Sequence, residues 1–196
     1  MNWTKLSKKV HANAVAHGWW EEERSLDEIC ALIHSELSEA LEEYRAGRPN
    51  VWHACDISDA HCEPKHYHYM VHCCIGCGHR DEKPEGIAVE LADAVIRILD
   101  LFGKSGIDAG HAMLHAEEPA SRADLSTVSF GAFVNNPHNH VALASILPGK
   151  EVDHLCFCIR EIMRWGKWAG VDMPSIIQMK HDYNTTRDYR HGGKRL

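Results

Sequence analysis

The chain nowhere runs to about 18 consecutive apolar residues, so no membrane-spanning helix is expected. Its first residues, MNWTKLSKKVHANAV, hold no apolar core of the kind a secretory leader needs. The expected setting is therefore cytoplasmic, with no membrane contact. Strand-like alternation of useful length is missing too, which makes the expected fold class all-α. Positive charge is in short supply: 21 Lys and Arg stand against 28 Asp and Glu, for a net charge of −7. That balance argues against a stable nucleic-acid complex. The bases are unevenly placed, however. The ending KHDYNTTRDYRHGGKRL is cationic, which leaves room for a small anionic ligand.

Apolar and thiol content is ample. With 196 residues, 44% of them hydrophobic, the chain can build one domain with a sizeable core, or one domain with insertions. Eight cysteines without a leader read as reduced thiols or metal ligands before disulfides. Sixteen histidines are many for this length, and six of them lie between His53 and His79.

The clearest helix is predicted over 26–46. Ser25 can cap it with Glu28 three residues on, and Ile29, Leu32, Ile33, Leu37, Ala40, Leu41 and Tyr44 recur at helical spacing. Residues 50–85 lose this period and read as a loop-rich insertion. PEGIAVELADAVIRILDLFG resumes it, with Pro84 at its head, Gly103 at its end, and Leu91, Ala94, Val95, Ile98 and Phe102 as the buried face. Residues 117–149 are mixed, with NNPHNH and LPGK as turn signals. EVDHLCFCIREIMRWGKWAG and MPSIIQMKHDYNTTRDY read as two further helices. Cys156 and Cys158 fit small core positions. The expected organisation is one helical domain over 1–196, with insertions at about 50–85 and about 109–171.

A weak echo runs through the chain at an offset of 64. Leu91, Val95, Ile98, Leu99 and GID at 106–108 match Leu155, Ile159, Ile162, Met163 and GVD at 170–172. It has two readings: two core helices with similar stops, or a duplicated helix–turn unit.

HSELSEALEEYR poses a chemical problem. Residues on a helix rotate by about 100° per step. Glu36 then falls inside the apolar arc of the first long helix, and Glu39 falls at its edge. Glu90 and Asp93, in ELAD, likewise flank the apolar arc of the next helix. Four carboxylates aimed at one helix–helix seam repel one another, and desolvating each costs several kcal/mol. A divalent cation is the simplest compensation, and Mg²⁺ takes hard oxygen ligands while keeping waters for a phosphate substrate. Di-iron bundles use Glu-x-x-His instead, and neither acidic pair here carries His at i+3.

ELSEALEEYR followed by ELADAVIRILDLFGKSGID resembles the MazG-like family of all-α nucleoside triphosphate pyrophosphohydrolases. The tail is similar to the K-x-x-Y-N-x-x-R and H-G-G-K ending of phage and bacterial members. The resemblance covers about residues 10–48, 84–108 and 172–196. It implies a MazG-like bundle with Mg²⁺, or Mn²⁺ as a substitute, on Glu36, Glu39, Glu90 and Asp93. It also implies cleavage of a (deoxy)nucleoside triphosphate to monophosphate and pyrophosphate, and a homodimer or homotetramer. The chain departs from simple members in its two insertions.

Site roles follow from residue chemistry. Glu39, at the hydrated edge, is the candidate general base. Lys180, Tyr183, Asn184 and Arg187 fall at i, i+3, i+4 and i+7 on one helical face, and are assigned to phosphate and sugar, with Lys180 and Arg187 on the β- and γ-phosphates. His17 and Trp20, in AHGWWEEER, are assigned to the nucleobase. In the Cys/His-rich insertion, Cys55, Cys62, Cys74 and Cys77 are candidate ligands of a structural Zn²⁺ that would staple a segment too short of core to order itself. The competing function is a zinc-bearing binding or scaffold module with a degenerate nucleotide site.

Overall fold

A computed structural model describes residues 1–54, 83–116 and 124–190. The candidate zinc ligands Cys55, Cys62, Cys74 and Cys77 and the terminal HGGKR lie outside the described residues. The described chain is mostly helical. In order, the elements are α1 (Trp3–Ala16), α2 (Leu26–Arg45), β1 (Trp52–Ala54), β2 (Lys83–Glu85), α3 (Ile87–Lys104), α4 (Ala109–His115), α5 (Phe130–Ile146), α6 (Glu151–Ala169) and α7 (Met173–Thr185). β1 and β2 pair antiparallel, with His53 opposite Pro84, and close the base of the insertion. The all-α reading missed this small ladder because three-residue strands carry too few positions to show a period.

α2 begins as its sequence dictates. The Ser25 side chain accepts from the Glu28 amide and Glu28 reaches back to the Ser25 amide, a complete capping box. Ile33, Leu37 and Ala40 are fully buried along one stripe. α3 is the central element. Ala88, Val89, Leu91, Ala92, Ala94, Val95, Ile98, Leu99 and Phe102 have no exposure, because α1, α2, α6 and α7 all pack against it. Gly103 lets α1 approach: a Cβ there would lie 2.5 Å from the His11 Cβ and 2.9 Å from the Ser7 carbonyl oxygen.

Two sequence expectations are overturned. NNPHNH is not a turn but the middle of α5, with Pro137 inside the helix. Pro137 removes one backbone donor, yet Phe133, Val134, Pro137, His140 and Val141 are all buried, and that burial outweighs the break. Residues 109–171, expected as an insertion, supply α5 and α6, whose buried residues join those of α2 and α3 in the core. Pro84 lies in β2 rather than at the head of α3.

The echo is a structural repeat. The unit α2–α3–α4 recurs as α5–α6–α7. Shifted by 104, the buried set Ile29, Cys30, Ile33, Glu36, Leu37 and Ala40 of α2 falls on Phe133, Val134, Pro137, His140, Val141 and Ala144 of α5, all buried. The caps Ser25 and Ser129 also correspond at that shift. Shifted by 64, the α3 stop falls on the α6 stop. The Ile107 amide donates to the Phe102 carbonyl and the Val171 amide to the Gly166 carbonyl, at 2.9 and 2.8 Å. Gly106 and Gly170 take φ of 67° and 70°, the left-handed conformation that glycine alone adopts freely. Asp108 and Asp172 then sit at the N-caps of α4 and α7.

α7 packs chiefly on α3 of the first unit, while α4 packs on α1 and touches both α3 and α6. His34 and His138, equivalent by the 104 shift, meet each other across the α2–α5 seam, with Nδ1 atoms 2.7 Å apart. Their ring centroids are 5.0 Å apart and their planes 10° apart, so the rings are coplanar and one Nδ1–H donates to the other's lone pair. Equivalent residues touching each other mark a two-fold relation, as at an isologous dimer interface.

Candidate functional site

α2 and α3 run side by side, and the acidic residues meet between them. Glu36 and Glu90 are buried, at 6% and 3% exposure, whereas Glu39 is exposed. Carboxylate oxygens of Glu36, Glu39 and Glu90 lie within 4.8 Å of one another, close enough to ligate one cation. Asp93 lines the same cleft, a cavity of about 250 Å³ whose other walls include Trp19, Arg24, Arg97, Lys180, Asn184 and Arg187. Three of the four predicted metal ligands thus come within reach of one ion, and the fourth, Asp93, lines the same cleft.

The protein partly compensates this charge itself. Arg97 donates from Nε and Nη2 to Glu36 Oε1, each at 2.6 Å. Lys180 Nζ lies 2.9 Å from Asp93 Oδ2, and Asn184 Nδ2 donates to Asp93 Oδ1 at 3.2 Å. Burial nevertheless governs the two deepest acids. It drives the Glu36 carboxyl above its usual range, with Arg97 opposing and Asp93 adding to it. Burial pushes Glu90 up to about 9, with Lys180 opposing, and Asp93 and a hydrogen bond with Glu85 reinforcing the shift. Glu90 is accordingly protonated at neutral pH when no cation is bound. Burial works against the Lys180 charge, but Asp93 and Glu90 outweigh it and hold the ammonium above its ordinary pKa.

Several assignments change. Lys180 is 1% exposed and committed to Asp93, so it braces an acid of the site from inside rather than reaching outward for phosphate. The stem of a lysine on the inner face of α7 buries readily once its head finds a carboxylate. Arg97, on α3, crosses the seam to Glu36 on α2. Trp20 does not line the cleft. Its Nε1 donates to both Asp100 oxygens, at 2.9 and 3.1 Å, and its ring meets His11 edge-on. Trp19 lines the cleft instead, with the Arg24 guanidinium 5.3 Å from its ring centroid. His17 is taken up at the end of α1, where its Nδ1 lies 2.8 Å from the Asn13 carbonyl oxygen. It does not line the cleft, nor does Tyr183, while Asn184 and Arg187 do. α7 ends at Thr185, so Arg187 follows the helix rather than continuing its face.

Asp100 is a site residue that the motif reading passed over. It lines the cleft one turn beyond Arg97, held by Trp20 and by His11 at 2.8 Å. Its spacing of seven from Asp93 places both on one face of α3, and that spacing was visible in the chain. One buried polar atom in the cleft has no partner among the described residues: Asn184 Oδ1. An unpartnered buried acceptor costs roughly 1–3 kcal/mol and fits a ligand that brings a donor, such as a sugar hydroxyl or a cation-bound water. The arrangement joins acidic oxygens for a hard cation, guanidinium groups for phosphate and one aromatic wall within one cleft.

No known protein family, no curated protein and no solved structure matches the chain.

Proposed function

We propose that the chain is a Mg²⁺-dependent nucleotide pyrophosphohydrolase, cleaving a (deoxy)nucleoside triphosphate into the monophosphate and pyrophosphate. The observation that carries this reading is the meeting of Glu36, Glu39 and Glu90 oxygens within 4.8 Å in a cleft that also holds Arg24 and Arg187. The donor set is all carboxylate, which suits Mg²⁺ and, as a substitute, Mn²⁺ better than softer ions. When bound there, the cation supplies charge neutralisation at the phosphate oxygens.

The residues divide the remaining work. Glu39, exposed at the cleft rim, accepts the proton of the attacking water as its oxygen bonds to the α-phosphorus. The bond from that phosphorus to the bridging oxygen breaks, and pyrophosphate leaves. Arg187 and Arg24 hold the leaving phosphates by forked, charge-assisted hydrogen bonds. Trp19 offers a flat face for the base, and Asn184 an acceptor for the sugar. Arg97 and Lys180 pair with Glu36 and Asp93 and hold those side chains in the cleft.

A scaffold with a degenerate site is the competing function, and one observation favours it: Arg97 and Lys180 already balance two of the four acids. Pyrophosphate release from a panel of nucleotides with Mg²⁺ decides between them. Turnover by the intact chain that falls to background in Glu36→Gln supports hydrolysis. No turnover with any nucleotide, alongside an intact fold, supports the scaffold. The zinc assignment to Cys55, Cys62, Cys74 and Cys77 is tested by metal content with and without Cys74→Ser, and the oligomer by sedimentation.

A further inference from the structure

The repeat gives every residue of the acidic site a counterpart in the second unit. By the 104 shift, Glu36 corresponds to His140 and Glu39 to Leu143. By the 64 shift, Glu90 corresponds to His154, Asp93 to Phe157 and Arg97 to Glu161. The two innermost carboxylates are therefore both replaced by imidazoles, and the two outer ones by hydrocarbon. The correspondence is spatial as well as sequential: His140 on α5 and His154 on α6 face each other, with Nδ1 atoms 3.3 Å apart. His140 is 8% exposed and His154 is half-buried, with the Phe157 ring 5.3 and 5.8 Å from their centroids.

We propose that His140 and His154 form a second metal site, in the counterpart position of the carboxylate cleft, which binds a borderline divalent transition ion of the zinc type rather than Mg²⁺. Two features carry this. First, the separation matches. Two nitrogens on one tetrahedral zinc, with bonds of about 2.0–2.1 Å, stand roughly 3.3–3.4 Å apart. The His34–His138 pair closes further, to 2.7 Å, whereas His140 and His154 share a long N–H···N hydrogen bond of 3.3 Å that an ion between them would replace.

Second, the donors have changed class. No carboxylate occupies any of the four counterpart positions, and imidazole nitrogen suits zinc, copper and nickel. The surroundings have changed to match: the counterpart of Arg97 is an acid, Glu161, paired with Arg164 at 2.5 Å. The charges that act on His154 are those of Asp153 and Lys150, which oppose each other and are themselves paired at 3.1 Å, and Arg160 is bonded to the Met113 and Ala116 carbonyls. Water completes the shell of an ion held there.

The test uses the full chain, stripped with chelator, and titrated with Co²⁺ and then Zn²⁺ in the presence of excess Mg²⁺. The intact protein should bind one Co²⁺ more than His154→Gln, with visible d–d bands and no sulfur charge transfer from that ion. Zn²⁺ should displace it, and His154→Gln should weaken this class of binding at least tenfold. His154→Cys should restore it with a new thiolate charge-transfer band, a change that loss of packing does not produce. His140→Ala serves as a second variant, read only where circular dichroism shows the native helix content. Equal Co²⁺ stoichiometry and affinity in the intact chain and His154→Gln overturns the proposal, as does a His154→Cys protein without the new band.

Discussion

The two units share a frame and differ in what they bury. In the first, α2 and α3 bury Glu36 and Glu90 beside fully buried Leu37 and Leu91. In the second, α5 and α6 put His140, Leu143, His154 and Phe157 at the corresponding places. The stripes, caps and stops are otherwise parallel. A helix pair of this kind fixes where side chains meet, and a few substitutions along the seam decide whether the meeting point holds a hard cation, a softer one or only packing. The difference teaches that the acids are not demanded by the fold. The second unit forms the same seam without them, which fits the proposal that their cost in the first unit serves cation binding.

The sharpest way to break this comparison is at the acids. Glu36→Gln is expected to lower pyrophosphate release by about a thousandfold or more, since it removes a ligand and leaves Arg97 facing a neutral amide. A pyrophosphate-coupled assay measures it. A smaller loss would mean that the first seam is as dispensable as the second.

Next comes the crossing helix. Lys180→Met leaves Asp93 without its ammonium in a site where the lysine is 1% exposed, and about 3–5 kcal/mol of stability should be lost. The second unit has Ala116 at the equivalent place, so Ala116→Ser should move the urea midpoint far less. Phe102 and Gly166 form another unequal pair. Phe102→Ala empties a fully buried position and should cost about 3–5 kcal/mol. Gly166→Ala places a Cβ 2.1 Å from Met173 Cγ, near the root of a buried side chain, and this overpacking should cost about 1–3 kcal/mol. Denaturant titration separates the two.

The acid–base behaviour sharpens the contrast further. With a folded pKa of about 9 against an ordinary carboxyl value of 4.5, Glu90 holds its proton in the native state after the unfolded chain has lost it. Its effect on stability is therefore unfavourable as pH rises from 4.5 towards 9, and Glu90→Gln should flatten that fall in melting temperature. Cation binding needs the carboxylate, so Mg²⁺ affinity should climb with pH over the same window, with release of up to one proton per ion. Calorimetry in buffers of different ionisation enthalpy counts it. The smallest effect concerns the caps: Ser25→Ala and Ser129→Ala should each cost about 1 kcal/mol, Ser25 somewhat more because Glu28 completes its box and Ala132 completes none at Ser129.

Local chemistry alone determined much of this. The capping box, the stripes of α2, α3 and α6, and the placement of two acids per helix near the buried arc are set by residue spacing, because a helix converts sequence interval into direction without outside help. Tertiary structure decided the rest. It alone showed that NNPHNH is helical, since α5 owes its form to the core around Phe133 and Val141 rather than to propensity. It alone gave Lys180 to Asp93, Arg97 to Glu36 and the cleft wall to Trp19 rather than Trp20, because each depends on a partner from a distant element. The offset of 64 was legible in the chain, but the offset of 104 was not: only three identities support it over α2 and α5, Ser25, His34 and Ala40 with Ser129, His138 and Ala144. What is preserved between those two helices is burial, which the folded chain creates and a string of residues does not carry.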